Sequence, residues 1–135
     1  MGVLGVSFVL PMFNERDNIQ NTINKVKLVA KELTTDYEIV VVDDASTDDS
    51  REIVARLMKT DNTVKLFTLS KNTKFGGAFA EGFKKASKEV IMYMDSDMPV
   101  KIEDIKKSFP LIADADIVTG YSTVKKGDTI KRKIM

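Results

Sequence analysis

The sequence predicts an α/β domain built on a mostly parallel, twisted sheet with helices on both faces. Two observations predict it: short β-branched apolar runs recur along the chain, and each is followed, after a short connection, by apolar residues at helical spacing. A third concerns chemistry. Three of the runs end in acidic or amide residues, which is where ligands sit in sheets of this kind, beyond the strand carboxyl ends at the point where strand order reverses.

Val6–Leu10 reads as a buried first strand, ended by Pro11 and opening into Met12-Phe13-Asn14-Glu15. From about Asp17, Ile19, Ile23, Val26, Ala30 and Leu33 fall at steps of four, three, four and three, the apolar stripe of one helix. Tyr37–Val42 is a second buried strand ending in Asp43-Asp44-Ala45-Ser46-Thr47-Asp48. Ser46 or Thr47 is expected to cap the next helix, which carries Ile53, Val54, Leu57 and Met58, with Asp48 and Asp49 in its first turn. Val64–Leu69 is a third strand. After the polar turn Lys71–Lys74, Phe75, Phe79, Phe83 and Ala86 mark a helix interrupted by Gly76, Gly77 and Gly82. Val90–Met94 is a fourth strand, followed by Asp95-Ser96-Asp97; Ile102, Ile105 and Phe109 suggest a further helix before Pro110, and Asp116–Gly120 a short fifth strand.

At 135 residues the chain has the size of one domain, and 43% hydrophobic with 30% charged residues is the balance of an ordinary globular protein. The apolar runs are strand-sized, well short of the roughly 20 residues of a membrane-spanning helix, and no secretory signal opens the sequence, so a cytoplasmic location is expected. A net charge of +1 sets up no field that would point to nucleic acid. The absence of Cys and His excludes disulfides, thiolate nucleophiles, Cys/His zinc sites and His-based triads, which leaves carboxylates, Lys, Arg, hydroxyls or a bound cation to carry any chemistry.

Asp95-Ser96-Asp97 carries the sharpest local signal: two carboxylates one residue apart at a strand end suit a hard cation, Mg²⁺ or Mn²⁺, that completes its shell with diphosphate oxygens and water. As isolated residues they fit turn formation equally well. Asp43 and Asp44 serve either as helix-entry acids or as acceptors for a ribose or base edge. The glycines after Phe75 fit close helix–sheet packing better than a phosphate loop, and Lys74 is either a phosphate contact or a solvated lysine.

Taken in order, Val-Leu-Pro-Met-Phe-Asn-Glu (9–15), Val-Val-Asp-Asp-Ala-Ser-Thr-Asp (41–48), Asn72 through Gly82 and Asp-Ser-Asp (95–97) resemble the inverting family 2 glycosyltransferases of GT-A fold, and among them the polyprenyl-phosphate (dolichyl-phosphate) mannosyl- or glucosyltransferases. The resemblance implies that Pro11, Phe13 and Glu15 border the nucleotide, with Phe13 where many members carry Tyr, and that Val42 and Asp44 hold base and ribose. It implies that Lys74 contacts the donor, that Asp95, Ser96 and Asp97 are the family's Asp-x-Asp, with Ser96 bordering the substrate and Asp95 facing the ribose or sugar side, and that Asp97, with Asp95, binds the metal and is catalytic. Gly120-Tyr121-Ser122-Thr123 replaces the Gly-Ser-Arg-Tyr of many relatives, so a donor-phosphate arginine is missing or supplied elsewhere; the resemblance matches Arg132 to the later arginine of the lipid-phosphate branch and implies a catalytic role for it, and Pro99 departs from the relatives' usual Gln or Ser.

Residues 1–120 are then expected to form the nucleotide-sugar-binding domain, and 121–135 a basic tail that begins a shortened acceptor-binding region. Its Lys125, Lys126, Lys131, Arg132 and Lys133 either attract a lipid phosphate or membrane surface peripherally, or are simply solvated. The implied reaction moves a sugar from a GDP-mannose or UDP-glucose type donor with inversion. A lipid-phosphate acceptor is favoured because it is already ionised near neutrality, whereas a hydroxyl needs a base and Asp128 is the only acid after Gly120. A sugar nucleotidyltransferase and a non-catalytic nucleotide-sugar-binding module are the rivals; the former would ordinarily show a Gly- and Arg-rich loop after the first strand, where Pro11–Glu15 stands.

Overall fold

The computed structural model describes residues 4–96, 101 and 103–120, and within them everything but the Phe75 side chain. In chain order the elements are β1 (Val6–Met12), α1 (Ile19–Leu33), β2 (Tyr37–Asp43), α2 (Ser50–Thr60), β3 (Val64–Thr68), α3 (Lys74–Lys85), β4 (Val90–Tyr93) and α4 (Glu103–Ser108), with a 3-10 helix at Phe109–Asp114. The four strands pair in parallel in the order β3-β2-β1-β4. No strand occurs among the described residues 116–120, where the sequence suggested a fifth; α4 runs directly into the 3-10 helix, which carries Pro110 in its first turn. None of the helices in the described residues is long and apolar enough to cross a membrane.

Strand alternation sorts the core into two layers. Phe8, Leu10, Met12, Ile39 and Val41 face α1 and α2 and meet Ile19, Ile23, Val26 and Val54 there, with Ile105 and Phe109 packed against the edge. Val9, Val40 and Val42 face the other way, against Ala78 of α3. Helices therefore cover both faces. The step from β3 to β4 carries the chain back over β2 and β1, so α3 must cross on the face opposite α1 and α2 to keep the crossover right-handed.

Pro11 lies inside β1, paired with Val42 in register. Val9 O accepts from Met94 N at 3.2 Å, so the main-chain groups of Pro11, two residues on, face the β4 side just past the end of that strand. Its missing N–H leaves no gap in a ladder there. The sheet parts at this point, between the carboxyl ends of β1 and β4, where strand order reverses.

Candidate active site

The loops leaving β1 and β2 each contain one residue in the left-handed region, Asn14 (φ 51°) and Ala45 (φ 62°), and the chain leaving β3 enters α3 through a third, Lys74 (φ 57°). Asn tolerates that region, because its short side chain bonds locally. Here the Asn14 Oδ1 accepts from the Thr47 N–H at 2.8 Å and the Asp48 N–H at 3.3 Å, while the Asn14 N–H donates to Ser46 Oγ at 3.0 Å. The Glu15 N–H donates to Ser50 Oγ at 2.7 Å, and the loops after β1 and β2 are thereby laced together. Ser46 and Thr47 are occupied by this lacing, so neither caps α2 as expected; Asp49 holds the N-cap position, and Asp48 accepts the Ser50 N–H at 2.9 Å. Burial raises the Asp48 carboxyl, but bonds from Ser50 and Arg16 outweigh it and hold the group below its usual range.

Ala45 has neither the freedom of Gly nor a side chain that bonds its own backbone, so its left-handed φ costs about 1 kcal/mol. Ala45→Gly should relieve that strain and, after the greater entropy loss of Gly, raise stability by about 0.5 kcal/mol in urea unfolding.

The two adjacent acids after β2 are separated by their partners. Asp43 is fully buried, accepts from Arg51 Nε at 2.8 Å and from the Ser46 N–H at 3.0 Å, and so serves as the brace at the entry to α2. Asp44 is 4% exposed and turns the other way, its Oδ1 accepting from both the N–H and the hydroxyl of Thr73 at 2.8 Å. It thus ties the β2 loop to the start of α3. Gly77 makes room for this: a Cβ there would stand 2.1 Å from Thr73 Oγ1.

A cavity of about 740 Å³ opens over the four strand ends. Pro11, Met12, Phe13 and Glu15 border it from the end of β1 and the loop after it, Asp44 from the loop after β2, Asn72 from the loop after β3, Lys74 and Ala78 from α3, and Asp95 and Ser96 from the turn after β4. Phe13 offers a half-exposed ring, the flat apolar surface on which a base can stack. The Tyr93 hydroxyl stands 3.4 Å from Asp95 Oδ1; burial, with the Asp95 carboxylate beside it, pushes this phenol upward, so it stays protonated. Carboxylate oxygens on this wall can accept hydrogen bonds from a polar ligand, and the Lys74 ammonium can meet an anionic one.

Of the residues singled out by the sequence, Pro11, Phe13, Glu15, Asp44, Lys74, Asp95 and Ser96 meet in this cavity. Val42 does not line it: the side chain is buried under α3, where a Cβ on Gly82 would lie 3.4 Å from its Cγ2. Asp97 and Arg132 lie outside the described residues. Met12, Asn72 and Ala78 went unnamed as contacts. Asn72 had a signal in the sequence, a small amide in the turn directly after a strand, whereas Ala78 had none, being one apolar residue of a helix.

Comparison with known proteins places this arrangement. The model of glycosyl transferase family 2 matches residues 7–134. Undecaprenyl-phosphate 4-deoxy-4-formamido-L-arabinose transferases of Yersinia pestis (strain Pestoides F) and Photorhabdus laumondii subsp. laumondii are 30% and 27% identical to it over 129 residues. These alignments cover 95% of this chain and 39% and 40% of theirs, so it spans about two fifths of the length of these curated relatives. Among solved structures, mannosyltransferase PcManGT from Pyrobaculum calidifontis, in complex with GDP-Man and Mn²⁺, aligns at a TM-score of 0.72 and 22% identity, covering 84% of this chain and 33% of that one. S. aureus TarS 1-349 in complex with UDP-GlcNAc aligns at 0.67 and 28% identity, covering 82% and 32%. The fold is GT-A, and with the family pattern matched from the start of the first strand almost to the last residue, the chain belongs to glycosyl transferase family 2.

Proposed function

We propose that the cavity binds a nucleoside-diphosphate sugar and that the protein transfers the sugar, with inversion, to a polyprenyl-phosphate type of acceptor. The observation that carries this is the convergence on one cavity of Pro11, Phe13 and Glu15 with Asp44, Lys74 and Asp95, from four separate stretches of sequence. Its volume falls within the roughly 300–1,000 Å³ of small-ligand sites. In this reading Phe13 stacks on the base, Glu15 and Asp44 accept from base and ribose, and Lys74 meets diphosphate oxygens. The family match, and relatives named for transfer to undecaprenyl phosphate, favour transfer over mere binding.

No group of three acidic side chains able to hold a metal occurs among the described residues. Mg²⁺ or Mn²⁺ does not require one: one or two carboxylates suffice when phosphate oxygens and water fill the shell, and Asp95 presents such oxygens at the cavity wall. Asp97 is proposed as the second ligand and Arg132 as a phosphate contact. A bound divalent ion would neutralise charge developing on the departing diphosphate. The acceptor phosphate needs no base from this chain, since its second ionisation lies near pH 6. The basic residues after Gly120 are proposed to draw it from a membrane surface at the cytoplasmic face.

Calorimetric titration with GDP-mannose, UDP-glucose and their nucleoside diphosphates, with and without Mn²⁺, tests the reading. One of the two donor series should bind more tightly with the metal, and Asp95→Asn should reduce that metal-assisted affinity about tenfold, equivalent to 1.4 kcal/mol. Binding of neither series by the unaltered protein would remove the donor site; binding without release of nucleoside diphosphate in the presence of a prenyl phosphate would leave a binding module.

A further inference from the structure

The buried face of α1 is aliphatic except at Thr22, which stands among Ile19, Ile23 and Val26 and is 3% exposed. Packing alone would be served by Val, which has the same shape and no hydroxyl to satisfy. A threonine inside a helix ordinarily turns its hydroxyl back to the carbonyl of the preceding turn. Thr22 turns outward, donating at 2.6 Å to the main-chain O of Ser96, 74 residues away, while its N–H keeps the helical bond to Asn18 O at 2.9 Å. Ser96 is itself 5% exposed, lies past the end of β4 at Tyr93, and borders the cavity together with Asp95.

We infer that Thr22 is a positioning residue for the donor site: by holding the Ser96 carbonyl, its buried hydroxyl sets the direction in which the turn after β4 carries Asp95 into the cavity. This rests on the donor-site reading above. The physical step is short. Beyond β4 the last hold of the sheet is the Met94 N–H on Val9 O at 3.2 Å, and the grip on the Ser96 oxygen fixes the planar peptide unit on the other side of Asp95, so the short segment that carries Asp95 is held at both ends. α1 is a suitable anchor because six of its residues are buried in the core and its first turn is held by the Glu15 carbonyl. Substrate would touch Asp95, not Thr22.

Calorimetry of UDP and GDP binding, each in EDTA and in Mn²⁺, separates this from a merely satisfied core hydroxyl, using the unaltered chain, Thr22→Val and Thr22→Ser. Thr22→Val should leave metal-free affinity within about twofold and lower metal-assisted affinity about fivefold, the scale of one hydrogen bond, while Thr22→Ser restores it to within about twofold. Wild-type affinity in Mn²⁺ for Thr22→Val overturns the inference, as does a parallel loss with and without metal or an equal loss in Thr22→Ser. Should the unaltered chain bind neither nucleotide, the donor-site reading fails and takes this inference with it.

Discussion

Glu38→Ala should lower the unfolding free energy by about 3–5 kcal/mol, nearer the lower figure, without touching the cavity. Glu38 is 2% exposed on β2 at the end of the sheet away from the site. Its carboxylate accepts the Ser7 hydroxyl of β1 at 2.6 Å and the Ser87 N–H beyond α3 at 2.7 Å, and pairs with the Lys65 ammonium of β3. The Lys88 N–H closes the circuit on Ser7 Oγ at 3.1 Å. Removing the carboxylate leaves a buried hydroxyl and an amide without their acceptor, and each costs about 1–3 kcal/mol. Lys65 is 43% exposed, so water takes over much of its charge; that is why the lower figure is expected.

The same group makes stability depend on acid. Burial would raise the Glu38 carboxyl, but Lys65, Ser7 and Ser87 together bring it from 4.5 down to about 2. Because the folded value lies below the unfolded one, the contribution is complete above about pH 4.5 and disappears as pH falls from there toward about 2. Asp61, lowered from 3.8 to about 2 by Lys27 and Thr63 against the effect of burial, titrates over an overlapping range. Urea midpoints should therefore fall steadily below pH 4.5, and Glu38→Gln should flatten that slope without abolishing it, because Asp61 remains. An unchanged slope in Glu38→Gln would show that the carboxylate is not the group held by folding.

Gly82→Ala is expected to cost about 3 kcal/mol and to weaken nucleotide binding as a consequence. A Cβ at this position would lie 2.3 Å from Cγ1 of Val9, a fully buried β-branched side chain on the central strand β1. Val9 is stiff at χ1 and fully buried between β1 and α3, so the added Cβ pushes the helix outward, which loosens Ala78 and the start of α3 that Asp44 holds through Thr73. Gly76 is the control, since a Cβ there meets nothing within 4 Å. Chemical unfolding of the two variants checks this: Gly76→Ala should be neutral or stabilising, as expected for Gly to Ala in an exposed helix. A Gly82→Ala protein as stable as the parent would mean that α3 does not approach the sheet so closely.

Much of the fold was legible because the period of apolar residues reports burial directly. The stripe Ile19-Ile23-Val26-Ala30 is the buried face of α1, and the runs at Val6 and Tyr37 are strands whose alternate residues feed the two core layers. Boundaries moved where pairing decided them. β1 extends through Pro11 to Met12 because its missing donor falls beside the end of β4, a fact about a neighbouring strand. The strand expected at Asp116–Gly120 is absent from the described residues there, since a short apolar run alone does not supply a ladder to join.

By itself the sequence determined the α/β class, the exclusion of thiol and imidazole chemistry, and the strand-end acids, because residue type and spacing are local quantities. Tertiary structure alone decided how those acids divide: Asp43 to Arg51, Asp44 to Thr73 and the cavity, Glu38 to a buried clamp at the far end of the sheet. It also showed that Ser46 and Thr47 lace two loops instead of capping a helix, and that Thr22 reaches Ser96. The reason is physical: what a carboxylate or hydroxyl does depends on which donors, acceptors and charges surround it, and those arrive from stretches of chain many residues away.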